Sequence, residues 1–256
     1  VYIFGRNAVQ EALSQARENP RTVEKILLQY GADTAPIQAI RRLAEQCRIP
    51  VSVMDKRKFQ NLEHEVCGEA GRAQGVFALT AAIKTLTVSE LLERSFTQHD
   101  APLLVALDGI TDPHNVGAIA RSAECAGFHG MIVPEQRSAP LSGAAMKSSA
   151  GALEHLAVAK TSNLAKALED ARNAGFEILA LEANADALYT ADLYQDAVVL
   201  VIGSEGAGIS KQIRGLCTGS IAIPLHGKIP SLNASVASGV VMFEIVRQRE
   251  QATTPH

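Results

Sequence analysis

No Cys-x-x-Cys pair occurs in this chain. Its four cysteines, Cys47, Cys67, Cys125 and Cys217, are scattered, so neither a zinc site nor a redox motif is expected. Reduced thiols in a cytoplasmic protein are the reading they support. No basic segment followed by a long apolar run opens the sequence, so no secretory signal is expected. Long hydrophobic runs are lacking as well. The longest, LLVAL at 103–107 and VVLVI at 198–202, have the length of strands and fall far short of a membrane span. An excess of positive charge is also missing. The net charge of −3 argues against a general nucleic-acid coat protein. No internal repeat or low-complexity segment stands out.

What is present suits a packed core. Of the 256 residues, 47% are hydrophobic and 20% charged, enough for one large domain or two modest ones. Charge is uneven along the chain. Residues 1–80 hold 11 Lys/Arg against 9 Asp/Glu, whereas the remainder is acidic. Two basic clusters lie in the first part, Arg41-Arg42 and Lys56-Arg57-Lys58. Each reads either as a solvated helix face or as a phosphate-contacting patch.

The pattern predicts a small alternating α/β unit over 1–82. A helix is expected at 7–18 with Asn7 capping it, then a strand at 23–30, a helix at 37–47, and strands at VSVM (51–54) and 75–81. Residues 83–100 offer few groups to anchor a core and read as a linker. From 101 to 256, apolar strands alternate with helices. Strands are expected at 103–108, 131–134, 176–183, 197–203 and 220–224, and helices at 115–127, 163–175 and 234–250. Near-continuous apolar strands between helices imply a mostly parallel sheet covered on both faces.

Three loops rich in small and polar residues follow three of these strands. In an open parallel sheet they converge at the carboxyl ends of the strands. The first, DGITDPHN (108–115), leads into a helix carrying Arg121. Asn115 there reads as a helix cap or as a site residue. Arg121 lies six residues further on, far from the same face at about 100° per residue. The second, GSEGAG (203–208), reverses the glycine order of the dinucleotide fingerprint G-x-G-x-x-G. It also carries Glu205, and a carboxylate beside a pyrophosphate is repulsive. No Gly-Lys-Ser/Thr occurs, so the turn suits a ligand without phosphates. This weighs against a nucleotide-dependent oxidoreductase. The third, IPLHGKIPSLNASVASG (223–239), runs into a helix whose first turns are nearly all small residues. That points to close packing or close approach of a ligand. His114 and His226 have no second His or Cys at ligand spacing, so no metal is expected. The absence of G-x-S-x-G gives a serine hydrolase no support.

The ordered set NVGAIAR (115–121), GSEGAG (203–208) and IPLHGKIPSLNASVA (223–237) resembles the three motifs of the SpoU/TrmH-type RNA ribose 2′-O-methyltransferases, in the SPOUT class. KSSAGALEHL (147–156) is similar to the segment joining the first two motifs. FGRNAVQEAL (4–13) and RAQGVFAL (72–79) are similar to the ends of the family's RNA-binding domain, so the resemblance covers nearly the whole chain. The resemblance implies a Rossmann-like α/β domain over 101–256 with a C-terminal trefoil knot, preceded by a ribosomal-protein-like RNA-binding domain over 1–82. It implies S-adenosylmethionine as the methyl donor, no metal, and a homodimer. The DGITDPHN loop is similar to that of members acting on a guanosine of 23S rRNA, which makes that RNA the expected partner. Another rRNA or tRNA nucleotide, or a non-catalytic RNA-binding module, is the alternative.

By motif, Asn115, Arg121, Glu205, Ser231 and Asn233 would form the catalytic set. Gly203, Ile223, Leu225 and Leu232 would hold the cofactor. Methyl transfer from a sulfonium to a hydroxyl is an in-line displacement, so the protein must orient the hydroxyl and help remove its proton. Family resemblance gives Arg121 the contact with the target phosphate and the 2′-hydroxyl. A guanidinium stays protonated at neutral pH, so positioning and stabilising the developing alkoxide suits it better than acting as base. RNA affinity of residues 1–82 is expected to run through Arg41, Arg42 and Lys56 to Lys58.

Overall fold

The computed structural model describes residues 2–16, 23–67, 72–80, 83–141, 143–185, 187–192 and 194–253. The chain divides into two compact units, Val1–Ala82 and Ile83–His256.

The first unit contains β1 (Tyr2–Phe4), α1 (Arg6–Ala16), β2 (Val23–Gln29), α2 (Ala35–Gln46), β3 (Val51–Met54), α3 (Lys56–Cys67) and β4 (Val76–Thr80). The sheet order is β1-β4-β2-β3, with β2 and β3 parallel and β4 antiparallel to β1 and β2. Alternation along β2 sends Ile26 and Leu28 to one face, where they meet Val9 and Leu13 of α1 and Ile37 and Ile40 of α2. Leu27 points to the other face, packed with Phe59 of α3 and Phe77 of β4. α1 begins at Arg6, so Asn7 lies inside its first turn rather than capping it. The expected end of this helix at Arg17 and Glu18 falls outside the described residues. α2 begins two residues before the expected Ile37, because Pro36 fits the first turn of a helix, where no backbone donor is needed.

The second unit contains β5 (Thr85–Leu86), α4 (Val88–Gln98), β6 (Leu103–Asp108), α5 (Pro113–Cys125), β7 (Gly130–Pro134), α6 (Gly143–Ser148), α7 (Ala152–His155), β8 (Ala157–Thr161), α8 (Leu164–Asn173), β9 (Glu177–Leu181), β10 (Ala187–Leu188), β11 (Val198–Gly203), α9 (Lys211–Arg214), β12 (Gly219–Ala222) and α10 (Ala234–Thr253). All eight strands join one parallel sheet in the order β10-β12-β9-β11-β6-β7-β8-β5. The expected α/β architecture with a mostly parallel sheet, preceded by a small α/β unit, is borne out. α5 and α10 pack on one face against Leu103, Val105 and Leu107 of β6. α4 and α8 cover the other, against Leu104 and Ala106. Both faces of β6 are therefore buried, which is why its sequence is apolar without alternation.

Residues 83–100 correct the linker expectation. β5 pairs with β8, and α4 buries Leu91, Leu92 and Ser95. Thr87 and Glu90 cap α4 reciprocally, the side chain of each bonded to the other's backbone N–H. The segment misleads because its strand has two residues and its helix has a narrow apolar stripe.

The sheet also sets the crevice. β6 and β11 are neighbours at its centre, and the chain leaves β6 toward β7, away from β11. The loops after these two strands meet at the carboxyl edge, where the backbone N–H of Ser210 donates to Asp108 Oδ2 at 2.7 Å.

Candidate active site

The GSEGAG turn is closed by its own backbone. Ser204 N–H donates to Gly208 O at 3.1 Å, and Gly208 N–H donates to Ser204 O at 2.9 Å. Gly206 and Gly208 have φ of +91° and +66°, a region that favours glycine. A Cβ on Gly203 would lie 2.3 Å from the carbonyl carbon of Gly208. These glycines are needed to fold the turn tightly, and the turn presents Glu205.

Glu205 is gripped from two other loops. Its Oε1 accepts from Asn115 Nδ2 at 2.9 Å, from Asn233 Nδ2 at 2.5 Å and from the Ala234 N–H at 3.4 Å. Asn233 Nδ2 also donates to Asn115 Oδ1 at 3.0 Å, which closes a triangle. These three residues come from the loops after β6, β11 and β12, so the triangle ties the three motifs together. Asn233 is anchored by its other end. Its Oδ1 accepts from Ser235 N–H at 2.9 Å, Ser235 Oγ at 2.6 Å and Val236 N–H at 3.3 Å, capping α10.

The capping of α5 differs from the sequence expectation. Asp112, not Asn115, is the cap: Asp112 Oδ1 accepts from the His114 N–H at 2.8 Å, and Pro113 starts the helix. Asn115 therefore sits in the first turn with its amide free to reach Glu205. At the other end, Gly127 takes φ +73°. Its N–H donates to Glu124 O, and the Phe128 N–H donates to Ala123 O.

Arg121 is exposed on α5 and makes no ion pair with Glu205. Two amides occupy the Glu205 carboxylate, and the Arg121 guanidinium stays available to an anionic ligand. Ser231 is exposed and opens onto the neighbouring cleft.

That cleft has a volume of about 530 Å³, within the size range of small-molecule sites. Gly203, Ile223, Leu225 and Leu232 all line it, together with Glu205 and Ser231. Asn115, Arg121 and Asn233 lie outside its lining. A fourth wall, Leu181 at the end of β9 with Glu182 to Asn184 after it, has no counterpart among the sequence expectations. The sequence signal for it is a polar stretch at the carboxyl end of an apolar strand, but the strand expected at 176–183 runs through Ala183 and the loop matches no motif.

The electrostatics of the cleft are distinctive. No Lys or Arg lines it, whereas Glu182 and Glu205 do. Glu182 is paired with Arg214 Nε at 2.7 Å, which leaves Glu205 as the carboxylate without a cationic partner. Such a lining is hostile to phosphates and suits a ligand carrying positive charge on an otherwise apolar frame. S-adenosylmethionine, a sulfonium without phosphate, fits this donor set. Among the described residues, no group of three or more His, Cys, Asp or Glu side chains is arranged to hold a metal ion.

Comparison with known proteins decides the family. Residues 102–243 match the SpoU rRNA methylase family, and residues 2–86 match the RNA 2′-O ribose methyltransferase substrate-binding domain. The chain belongs to the SpoU rRNA methylase family. This SpoU methylase is 38% identical to the 23S rRNA (guanosine-2′-O-)-methyltransferase RlmB of Pseudomonas aeruginosa over 251 residues, which is 96% of each chain. It also resembles the SpoU methyltransferase AviRb of Streptomyces viridochromogenes, solved with the cofactor AdoMet. The TM-score is 0.63 at 26% identity, covering 97% of this chain and 90% of AviRb. A shorter TrmH/SpoU tRNA modifying enzyme of A. aeolicus matches 65% of the chain with a TM-score of 0.55 at 28% identity. The SpoU methylase described here is an S-adenosylmethionine-dependent RNA 2′-O-methyltransferase, as the motif resemblance implied. No helix among its described residues is long and apolar enough to cross a membrane.

Proposed function

We propose that this protein methylates the ribose 2′-hydroxyl of a guanosine in 23S rRNA, acting in the cytoplasm as a homodimer. The observation that carries the reading is the Asn115–Glu205–Asn233 triangle, built from three loops at the rim of a cleft that disfavours phosphate. The 38% identity to RlmB across both chains supports the guanosine and the rRNA.

The bound cofactor supplies a methyl group already activated on a sulfonium. Ile223, Leu225 and Leu232 would hold its apolar parts, and the backbone at Gly203 would hold its polar groups. Glu205, fixed by Asn115 and Asn233, would orient the ribose and favour the cofactor's positive charge. Ser231 would bind at the mouth of the cleft. Arg121 would pair with the target phosphate and stabilise the alkoxide as the hydroxyl loses its proton. Prepositioning of this kind is where the protein contributes most, because the donor needs no further activation.

Two features support the remaining parts of the reading. α10 exposes Val236 (53%), Val240 (39%) and Phe243 (53%) at helical spacing, while Val241, Met242 and Ile245 are buried behind them. A helix apolar on both sides has a second face for a partner, here a second copy of the chain. The last strand, β12, enters between β9 and β10, and α10 packs back against α5 and β11. This path supports a trefoil knot.

Mapping 2′-O-methyl groups in rRNA and tRNA from cells lacking the protein tests the substrate. One 23S guanosine should lose its methyl group and regain it on re-expression. A loss confined to tRNA would move the substrate to tRNA, in line with the A. aeolicus relative's name. Unchanged rRNA and tRNA would overturn the reading.

A further inference from the structure

We propose that one edge of the first unit's sheet is a docking site for an unpaired RNA base, stacked on Tyr30 and flanked by Lys56, Arg57 and Lys58. The proposal rests on the RNA-substrate reading above and adds to it where, and in what form, RNA is held.

Strand directions bring these residues together. β2 and β3 are parallel and end at the same edge, and β4 starts there. Tyr30, just past β2, is pinned through its backbone N–H to Met54 O at 2.8 Å. Met54 is the last residue of β3 and directly precedes Asp55-Lys56-Arg57-Lys58. The neighbouring Gln29 N–H donates to Gly75 O at 3.0 Å, which fixes the start of β4 beside them. Gly31 and Gly75, with φ of +80° and +83°, turn the chain on both flanks without adding a side chain.

Tyr30 is 74% exposed, the highest value among the large apolar and aromatic side chains described. Its ring joins no aromatic pair and its hydroxyl makes no hydrogen bond among the described residues. A lone exposed aromatic is ordinary. This one has a held backbone and a cationic neighbourhood. Lys56, Arg57 and Lys58 are all exposed in the first turn of α3, and no acidic residue lies within that turn. Cations at a helix N-terminus oppose the helix dipole, so this placement is locally unfavourable and becomes favourable when an anion arrives. Asp55 offsets only one of these three charges and makes no ion pair with them. Its Oδ1 faces the helix backbone, accepting from the N–H of Arg57 at 2.9 Å and of Lys58 at 3.4 Å.

An exposed ring and three cations gathered at the end of neighbouring strands are the chemistry of a single-strand platform: the ring takes a base face and the cations take the flanking phosphates. A duplex keeps its bases stacked inward and gives Tyr30 nothing to stack on, so the ligand is a loop or bulge. Arg41 and Arg42 belong elsewhere. α2 leaves this edge at Ala35, and six residues of helix carry Arg41 about 9 Å away.

The test uses the full chain and two RNA probes, a hairpin with an unpaired loop and a blunt duplex of equal length. Tyr30→Ala should weaken binding of the looped RNA about 5- to 150-fold. Duplex affinity and calorimetric S-adenosylmethionine affinity should stay unchanged, and Tyr30→Phe should restore looped-RNA binding. Replacing Lys56, Arg57 and Lys58 with Gln should reduce the log–log salt slope by about 2, whereas Arg41→Gln with Arg42→Gln should leave it nearly unchanged. Wild-type affinity of Tyr30→Ala for the loop would overturn the proposal, as would a wild-type chain that binds neither probe. A wild type that binds the loop through Tyr30 yet methylates no RNA would sink the functional reading and leave this one standing.

Discussion

Asn233 serves two structures at once, and two substitutions separate them. Its Oδ1 caps α10, and its Nδ2 donates to Glu205 and Asn115. Asn233→Ala removes both functions. Loss of the cap costs about 1 kcal/mol, and loss of exposed amide bonds to a carboxylate adds up to about 1 kcal/mol more. For a unit of roughly 170 residues this lowers Tm by about 3–6 °C. Asn233→Asp keeps an oxygen for the cap but sets a second carboxylate about 3 Å from Glu205. In water-like surroundings that repulsion is about 1–2 kcal/mol, and it raises the proton affinity of the pair. A raised folded-state pKa gives stability that is present at low pH and lost as pH rises. The Asp variant should therefore melt near the wild type at pH 5, melt several degrees lower at pH 8, and transfer methyl groups at least tenfold more slowly at pH 8. Calorimetric melting at the two pH values, with a labelled-methyl transfer assay, checks this. Wild-type melting and turnover of Asn233→Asp at pH 8 would refute the reasoning, because the amide bond to Glu205 would then hold nothing in place.

Other outcomes follow from single contacts. Arg121→Ala should abolish methylation and leave calorimetric S-adenosylmethionine binding intact, since Arg121 lies outside the cleft lining; an active variant would remove its role. Gly203→Ala should weaken cofactor binding by tenfold or more, because its Cβ meets unyielding backbone at Gly208 and Ile209; titration giving equal affinity would contradict this. Gly117→Ala should destabilise the second unit by about 1–3 kcal/mol, since its Cβ would lie 1.9 Å from Ser148 Oγ and 2.4 Å from Ala145 O; an unchanged Tm would show that α5 and α6 move apart freely. Burial, with the charges of His99 and Arg249, holds the His129 imidazole down at about 4, and its Nδ1 accepts the Leu103 N–H at 2.8 Å. Its neutral form therefore stabilises the fold above about pH 6.5, and that stability drains away as pH falls toward 4. His129→Asn keeps an acceptor and should flatten the fall of Tm over this window, as melting curves at stepped pH would show.

Much of the site was legible before any fold was known. Small, polar loops after apolar strands mark the carboxyl edge of a parallel sheet, and the unusual glycine order with Glu205 argued against phosphate. Several of the elements that escaped are made by partners rather than by periodicity. β5 and β10 have two residues each and exist because β8 and β12 supply their hydrogen bonds. α4 looked like a linker because its two leucines acquire meaning only against the sheet face they cover. Asn115 looked like a cap because Asp112 and Asp112's bond to the His114 N–H are a local geometry that composition does not order.

The sequence alone determined the alternating α/β pattern, the three loops and the chemistry the glycine turn refuses. Those properties live in short stretches, where backbone preference and side-chain charge act locally. The tertiary structure decided which group answers Glu205. Asn115 and Asn233 stand 90 and 28 residues from it, and only strand order brings their amides within 3 Å. It also decided that Arg121 remains unpaired by Glu205 and that Tyr30 shares an edge with Lys56 to Lys58. Long-range pairings of this kind are set by how strands line up in a sheet, which no local window of residues encodes.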